Sequence, residues 1–138
     1  VLEHLPNTTE TMEELWRIMQ PNGKLFIRVP YWNSFEGWGD PTHEKLFSEE
    51  KFEFYDPTTW RGKDRAYYSK AQFKIQKIAF AVNPLKPIVR GTRGYRYGRI
   101  IENPTLKALI RIPATYFCNV IHALHVHLYK IGSSRDLL

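Results

Sequence analysis

The sequence predicts an α/β fold, on three observations. Met12, Leu15, Trp16 and Met19 recur at i, i+3, i+4 and i+7, one apolar face of a helix. Leu25-Phe26-Ile27-Arg28-Val29 follows as a short run, apolar on both faces, as in a central parallel strand. Leu124 to Ile131 alternates, with Leu124, Val126 and Leu128 on one face and His125, His127 and Tyr129 on the other. The order helix, strand, helix, strand, long loop, helices, strand suits half of a three-layer α/β sheet.

Asn7 is a good N-cap for the first helix, and Glu10 stands where a capping-box acid would. Pro21 stops that helix and Pro21-Asn22-Gly23 reverses the chain. Pro30 ends the strand. Tyr31 to Leu46 reads as a long aromatic loop that Gly37 and Gly39 make flexible. Within it Asp40 caps a turn begun by Pro41. Ser48 caps a short helix with Glu49 and Glu50 in its first turn, and Phe47 and Phe52 have the spacing of a hydrophobic staple. Asp56-Pro57 ends it, and Thr58 to Lys70 is polar connection with a basic bias.

Gln72 to Val82 predicts the next strand. Its phase slips near Gln76-Lys77, which predicts a bulge. Asn83 to Asn103 is a Pro/Gly-rich excursion carrying Arg90, Arg93, Arg96 and Arg99 with Tyr95 and Tyr97 between them. Arg with Tyr suits phosphate contact plus stacking, and equally a solvated basic face. Asn103 caps a helix with Pro104 at its first position. Pro113 is expected to interrupt it, with helical spacing resuming over Phe117, Val120, Ile121 and Leu124. One domain over 1–131 and a tail over 132–138 result.

The bulk properties bound the function loosely. The 138 residues carry a formal charge of +6, which favours anionic partners weakly. One cysteine, Cys118, excludes an internal disulfide, suits a reducing compartment and fits a cytoplasmic setting. No apolar run reaches the roughly 18 residues of a spanning helix, so no transmembrane segment is expected. Oligomeric state is not legible. The His125-x-His127 pair shares one face, compatible with a shared metal, but it has no third ligand at recognisable spacing and is read as a half-exposed polar face.

Glu3-His4-Leu5, the helix Glu14-Leu15-x-Arg17-Ile18, the turn Pro21-Asn22-Gly23 and a strand ending Val29-Pro30 together resemble class I S-adenosylmethionine-dependent methyltransferases, type 11-like. In that family this is the loop after the fourth strand, the next helix, a Pro-Gly-Gly-like turn and the fifth strand. Asn22 stands where many members have Gly. Asp40-Pro41-Thr42-His43, with Phe47 after it, matches a subgroup with such a segment after the fifth strand. The resemblance is close over residues 1 to about 57 and keeps its order to about 131.

The resemblance implies the C-terminal half of a Rossmann-like methyltransferase sheet: fifth to seventh strands with flanking helices, the last strand between the other two and antiparallel to both. Val1 begins inside the motif, so the chain is read as a fragment lacking the N-terminal cofactor-binding half and inactive alone. No G-x-G-x-x-G follows a strand here. S-adenosyl-L-methionine is the implied cofactor, with Leu2, Glu3 and His4 beside it. Tyr31, Trp32, Trp38 and Asp40 are the implied substrate-side residues, and the acceptor is a small molecule or an anion. His4 and His43 are the catalytic candidates.

Alternatives stand beside each of these. An acid next to an imidazole can bind metal or move protons, and Glu3-His4 equally reads as a loop pair holding backbone groups. Some family members place Glu-His with another acid around a divalent metal; no such acid is identifiable, and no metal site is assigned. His43 reads as a base or substrate hydrogen bonder, or as a turn residue. The aromatic loop reads as a lid or as a capping loop packed on itself. The rival functions are a nucleic-acid-binding module using the Arg/Tyr loop and a non-catalytic α/β interaction domain.

Overall fold

Asn7 opens the first helix, its side-chain oxygen accepting from the Glu10 N–H at 3.1 Å. In this computed structural model, which describes residues 1–82 and 98–132, helix α1 spans Thr8–Ile18. Met12 is fully buried, and Leu15, Trp16 and Met19 pack beside it. The Trp16 indole N–H donates to the Ile131 carbonyl at 3.2 Å, fixing α1 to the far end of the chain. Asn22 takes the reversal with φ 60°, a conformation Asn tolerates better than most residues.

Four strands form one sheet: β1 (Lys24–Pro30), β2 (Phe73–Val82), β3 (Arg99–Ile101) and β4 (Ala123–Lys130). Their order is β1-β4-β2-β3, and every pair is antiparallel. The last strand therefore lies between β1 and β2, antiparallel to both, as expected. β1 and β2 run parallel to one another across it. The register of β2 shifts between Ile75 and Lys77, where the phase slip predicts a bulge. Asp56 supplies a cause: its buried Oδ2 accepts the Ile75 N–H at 2.8 Å. The Tyr55 carbonyl accepts the Phe73 N–H, also at 2.8 Å. The chain before β2 thus occupies the edge that β3 leaves uncovered.

One face of the sheet is buried. Ile27, Val29, Phe73, Phe80, Leu124, Val126 and Leu128 meet Met12, Phe52 of α3 (Glu49–Glu53) and Ala114 of α5 (Pro104–Tyr116). The opposite face carries Phe26, 54% exposed, against the His125 and His127 rings at centroid distances of 5.6 and 4.8 Å. Two corrections follow among the described residues. β1 pairs with β4 alone, antiparallel, and not with a parallel neighbour. The sheet has two layers, with no third layer over Phe26.

Burial holds the pKa of His125 below its ordinary 6.5, with the Arg28 charge adding to the effect. The unfolded chain then binds this proton first as pH falls, so stability is lost from about pH 6.5 down through the folded pKa. A His125→Gln variant is expected to show a flatter decline of urea midpoint below pH 6.5 than the parent. Equal slopes would remove His125 from the acid response.

Several local expectations change. Pro113 does not interrupt α5, which runs Pro104–Tyr116 with Asn103 capping it as expected. The bond Pro113 forfeits belongs to the carbonyl of Leu109, a 60% exposed residue, which water can satisfy. Helical spacing does not resume after it: Asn119 adopts φ 65° and turns the chain into β4. The polar connection holds a short helix, α4 (Trp60–Asp64), whose cap Thr59 accepts from the Gly62 N–H. The aromatic loop holds α2 (Phe35–Trp38), and Gly37 in it serves packing: a Cβ there would stand 2.7 Å from the Tyr31 carbonyl oxygen. Arg90, Arg93, Arg96, Tyr95 and Tyr97 lie outside the described residues, as do residues 133–138 of the tail.

Candidate functional site

Residues 2–4 form a 3-10 turn, and main-chain bonds dock the segment after Asp40 onto it. The Glu3 carbonyl accepts the N–H groups of Glu44 and Lys45 at 2.8 and 3.2 Å. Asp40 closes the turn as its sequence predicts: Oδ1 accepts the Thr42 N–H at 2.9 Å and the Thr42 hydroxyl at 2.6 Å. Both ties bring the His4 and His43 rings edge to face, with centroids 4.6 Å apart. Glu3, His4 and His43 therefore lie together.

Hydrogen-bond chemistry fixes which ring nitrogen of each imidazole carries the proton. His43 Nδ1 lies 3.2 Å from the Gly37 carbonyl, which can only accept, so Nδ1 donates. His4 Nδ1 lies 3.3 Å from the Thr42 carbonyl and 3.0 Å from the Thr42 hydroxyl. That hydroxyl already donates to Asp40, so it too accepts from His4. In its neutral form each ring thus carries Nδ1–H and has its lone pair on Nε2. His4 Nε2 faces Glu3 Oε1 at 3.7 Å, and His43 Nε2 faces Asp40 Oδ2 at 3.7 Å.

The Thr42 hydroxyl and N–H lower the pKa of Asp40, with the two imidazoles adding to the effect. A cleft of about 900 Å³ opens here, lined by Glu3, Arg28, Phe35, Glu36, Asp40 and His43. Three carboxylates against one guanidinium make it acidic, although the whole chain is basic.

The other sequence candidates lie elsewhere. Tyr31 and Trp32 line a second cleft of about 520 Å³ with Glu49, Lys51 and Arg111. Tyr31 is buried there, and its phenol pKa is raised by that burial. Trp38 is 64% exposed and lines neither cleft. Leu2 is buried in the core. Sequence reasoning passed over Thr42, Glu36, Arg28 and the Gly37 carbonyl. Asp40-x-Thr42 spacing was the available signal for Thr42, since a Thr two residues after an Asx cap can donate to it.

Among the described residues, Glu3, His4 and His43 each offer one ligand atom within 4.8 Å of the others, a set that suits a metal ion. Among the same residues, no helix is long and apolar enough to cross a membrane. Comparison of the chain with protein-family models, curated proteins and solved structures finds no match.

Proposed function

We propose that this chain is the acceptor-side half of an S-adenosylmethionine-dependent methyltransferase. The supporting observation is the strand order. A final strand inserted antiparallel between two mutually parallel strands is what the resemblance implies for the fifth, seventh and sixth strands. The loop after β1 then returns to Glu3 and His4, at the end of the sheet where open α/β folds place ligands.

The cleft suits the cofactor in charge, because three carboxylates face a space that would receive a sulfonium. When bound, that group supplies an electrophilic methyl. The protein's part is to position the acceptor in line and to take its proton where it has one to lose. His43 Nε2 is the base: His43 lines the cleft, and Gly37 holds the Nδ1 proton, which leaves Nε2 to take up another. Asp40, beside Nε2 and ionised, stabilises the imidazolium that forms. The same acidity favours a neutral or cationic acceptor over the anionic one that the net charge alone would suggest.

The test is calorimetry with S-adenosylmethionine and its demethylated product, S-adenosylhomocysteine. The native protein that carries this chain is expected to bind both, and the 138 residues alone to bind neither at micromolar concentration. No binding by the native protein overturns the reading. Micromolar binding by the 138 residues overturns the placement of the cofactor loop outside them.

A further inference from the structure

We propose that Glu3, His4 and His43 form a binding site for a divalent transition-metal ion of the zinc class. The inference stands on side-chain geometry and does not depend on the methyltransferase reading. One carboxylate oxygen and two imidazole nitrogens converge within 4.8 Å. Convergence alone is common; the state of the rings distinguishes this set. Each imidazole gives its Nδ1–H to a backbone carbonyl, His4 to Thr42 and His43 to Gly37, so Nε2 is the nitrogen left to ligate on both rings. Metal-ligating histidines are held in this way, with the outer nitrogen bonded to a carbonyl or carboxylate. Asp40 fixes the Thr42 hydroxyl, and Thr42 in turn fixes His4, so the outer layer is itself anchored.

The donor set selects the ion. Two imidazoles and one carboxylate suit Zn²⁺, Co²⁺ or Fe²⁺, whereas Mg²⁺ and Ca²⁺ prefer oxygen ligands throughout. Ligands bound at about 2.0–2.1 Å lie roughly 3.3 Å from one another, so the donors must draw in by about 1.5 Å. His4 can move: its side chain is 41% exposed, on a short turn. Three protein ligands leave a fourth position for water or substrate, and Glu3 and His43 line the cleft it would face. The Asp40 carboxylate, 3.7 Å from His43 Nε2, is placed to accept a hydrogen bond from a water there. Metal and proton compete for the same His43 lone pair, so a bound ion would block the base role proposed above.

The test uses the tag-free 138-residue chain, with Zn²⁺ by calorimetry and Co²⁺ by visible absorption. One equivalent is expected to bind with micromolar or tighter affinity. Glu3→Gln and His43→Ala are each expected to weaken binding at least about 100-fold, and Thr42→Val by about 10–100-fold, with Thr42→Ser restoring it. A His125→Ala, His127→Ala double variant is expected to bind as the parent does. In the unsubstituted chain, nitrogen-15 spectra are expected to show Nδ1–H on both rings and Zn²⁺ shifting both Nε2 signals, a readout that needs no variant to fold. Absence of saturable binding overturns the proposal. So does binding that survives His43→Ala but is lost with His125 and His127, or Nε2 signals that do not move.

Discussion

His43→Ala in the native protein is expected to lower methyl-transfer turnover by about 10²–10⁴-fold, the range for removing a positioned base. The melting temperature is expected to fall by only about 3–5 °C, as loss of one hydrogen bond worth roughly 1 kcal/mol would give. The asymmetry follows from what each nitrogen touches. Nδ1 meets one carbonyl, and the turn itself is closed by Asp40 and Thr42 without the imidazole. Nε2 lies 3.7 Å from Asp40 Oδ2, and both residues line the cleft. Melting and methyl transfer measured on the same sample separate the roles. A large drop in melting temperature with turnover per folded molecule preserved would leave His43 a turn residue only.

Phe80→Ala is expected to destabilise the fold by about 3–5 kcal/mol, the upper range for a core truncation. Phe80 is fully buried on β2 and lies beside the Tyr31 ring. Two cations from α5 cover it: Lys107 Nζ at 4.6 Å and the Arg111 guanidinium at 5.5 Å from the ring centroid. Both also pair with the buried Glu49 of α3. Removing the ring opens a cavity beneath an ion cluster whose Glu49 and Lys107 are largely buried, where lost packing and poorer pairing compound. Phe80→Leu keeps most of the volume and is expected to cost much less. Denaturant titration of the three proteins checks this; a loss under about 1.5 kcal/mol for the alanine variant contradicts it.

What was legible in the sequence is what is decided locally. Asn7 and Asn103 cap helices through atoms three residues away, and β4 shows its buried face by strict alternation. The bulge declared itself because inserting a residue reverses the phase of every side chain after it. Glu49 read only as a helix-start acid because its partners, Lys107 and Arg111, are 58 and 62 residues away. Thr42 was passed over because its role needs His4, 38 residues earlier. Pro113 misled because a proline inside a helix usually breaks it, whereas here the carbonyl it orphans belongs to the exposed Leu109. The meeting of Glu3, His4 and His43 came from the family resemblance and not from any spacing within the chain.

The one-sided pairing of β1 has a consequence in time rather than in shape. The Tyr31 N–H bonds to His122 and the Gly23 carbonyl accepts from Lys130, so odd-numbered residues of this strand turn toward β4. The amides of Leu25, Ile27 and Val29 then sit inside the ladder, while those of Lys24 and Phe26 point the other way. Pro30 falls in the outward phase and offers no amide there. Deuterium uptake along the strand should alternate residue by residue, slow and fast, like the teeth of a comb. Any segment that docks alongside β1 would slow the fast teeth and leave the slow ones unchanged.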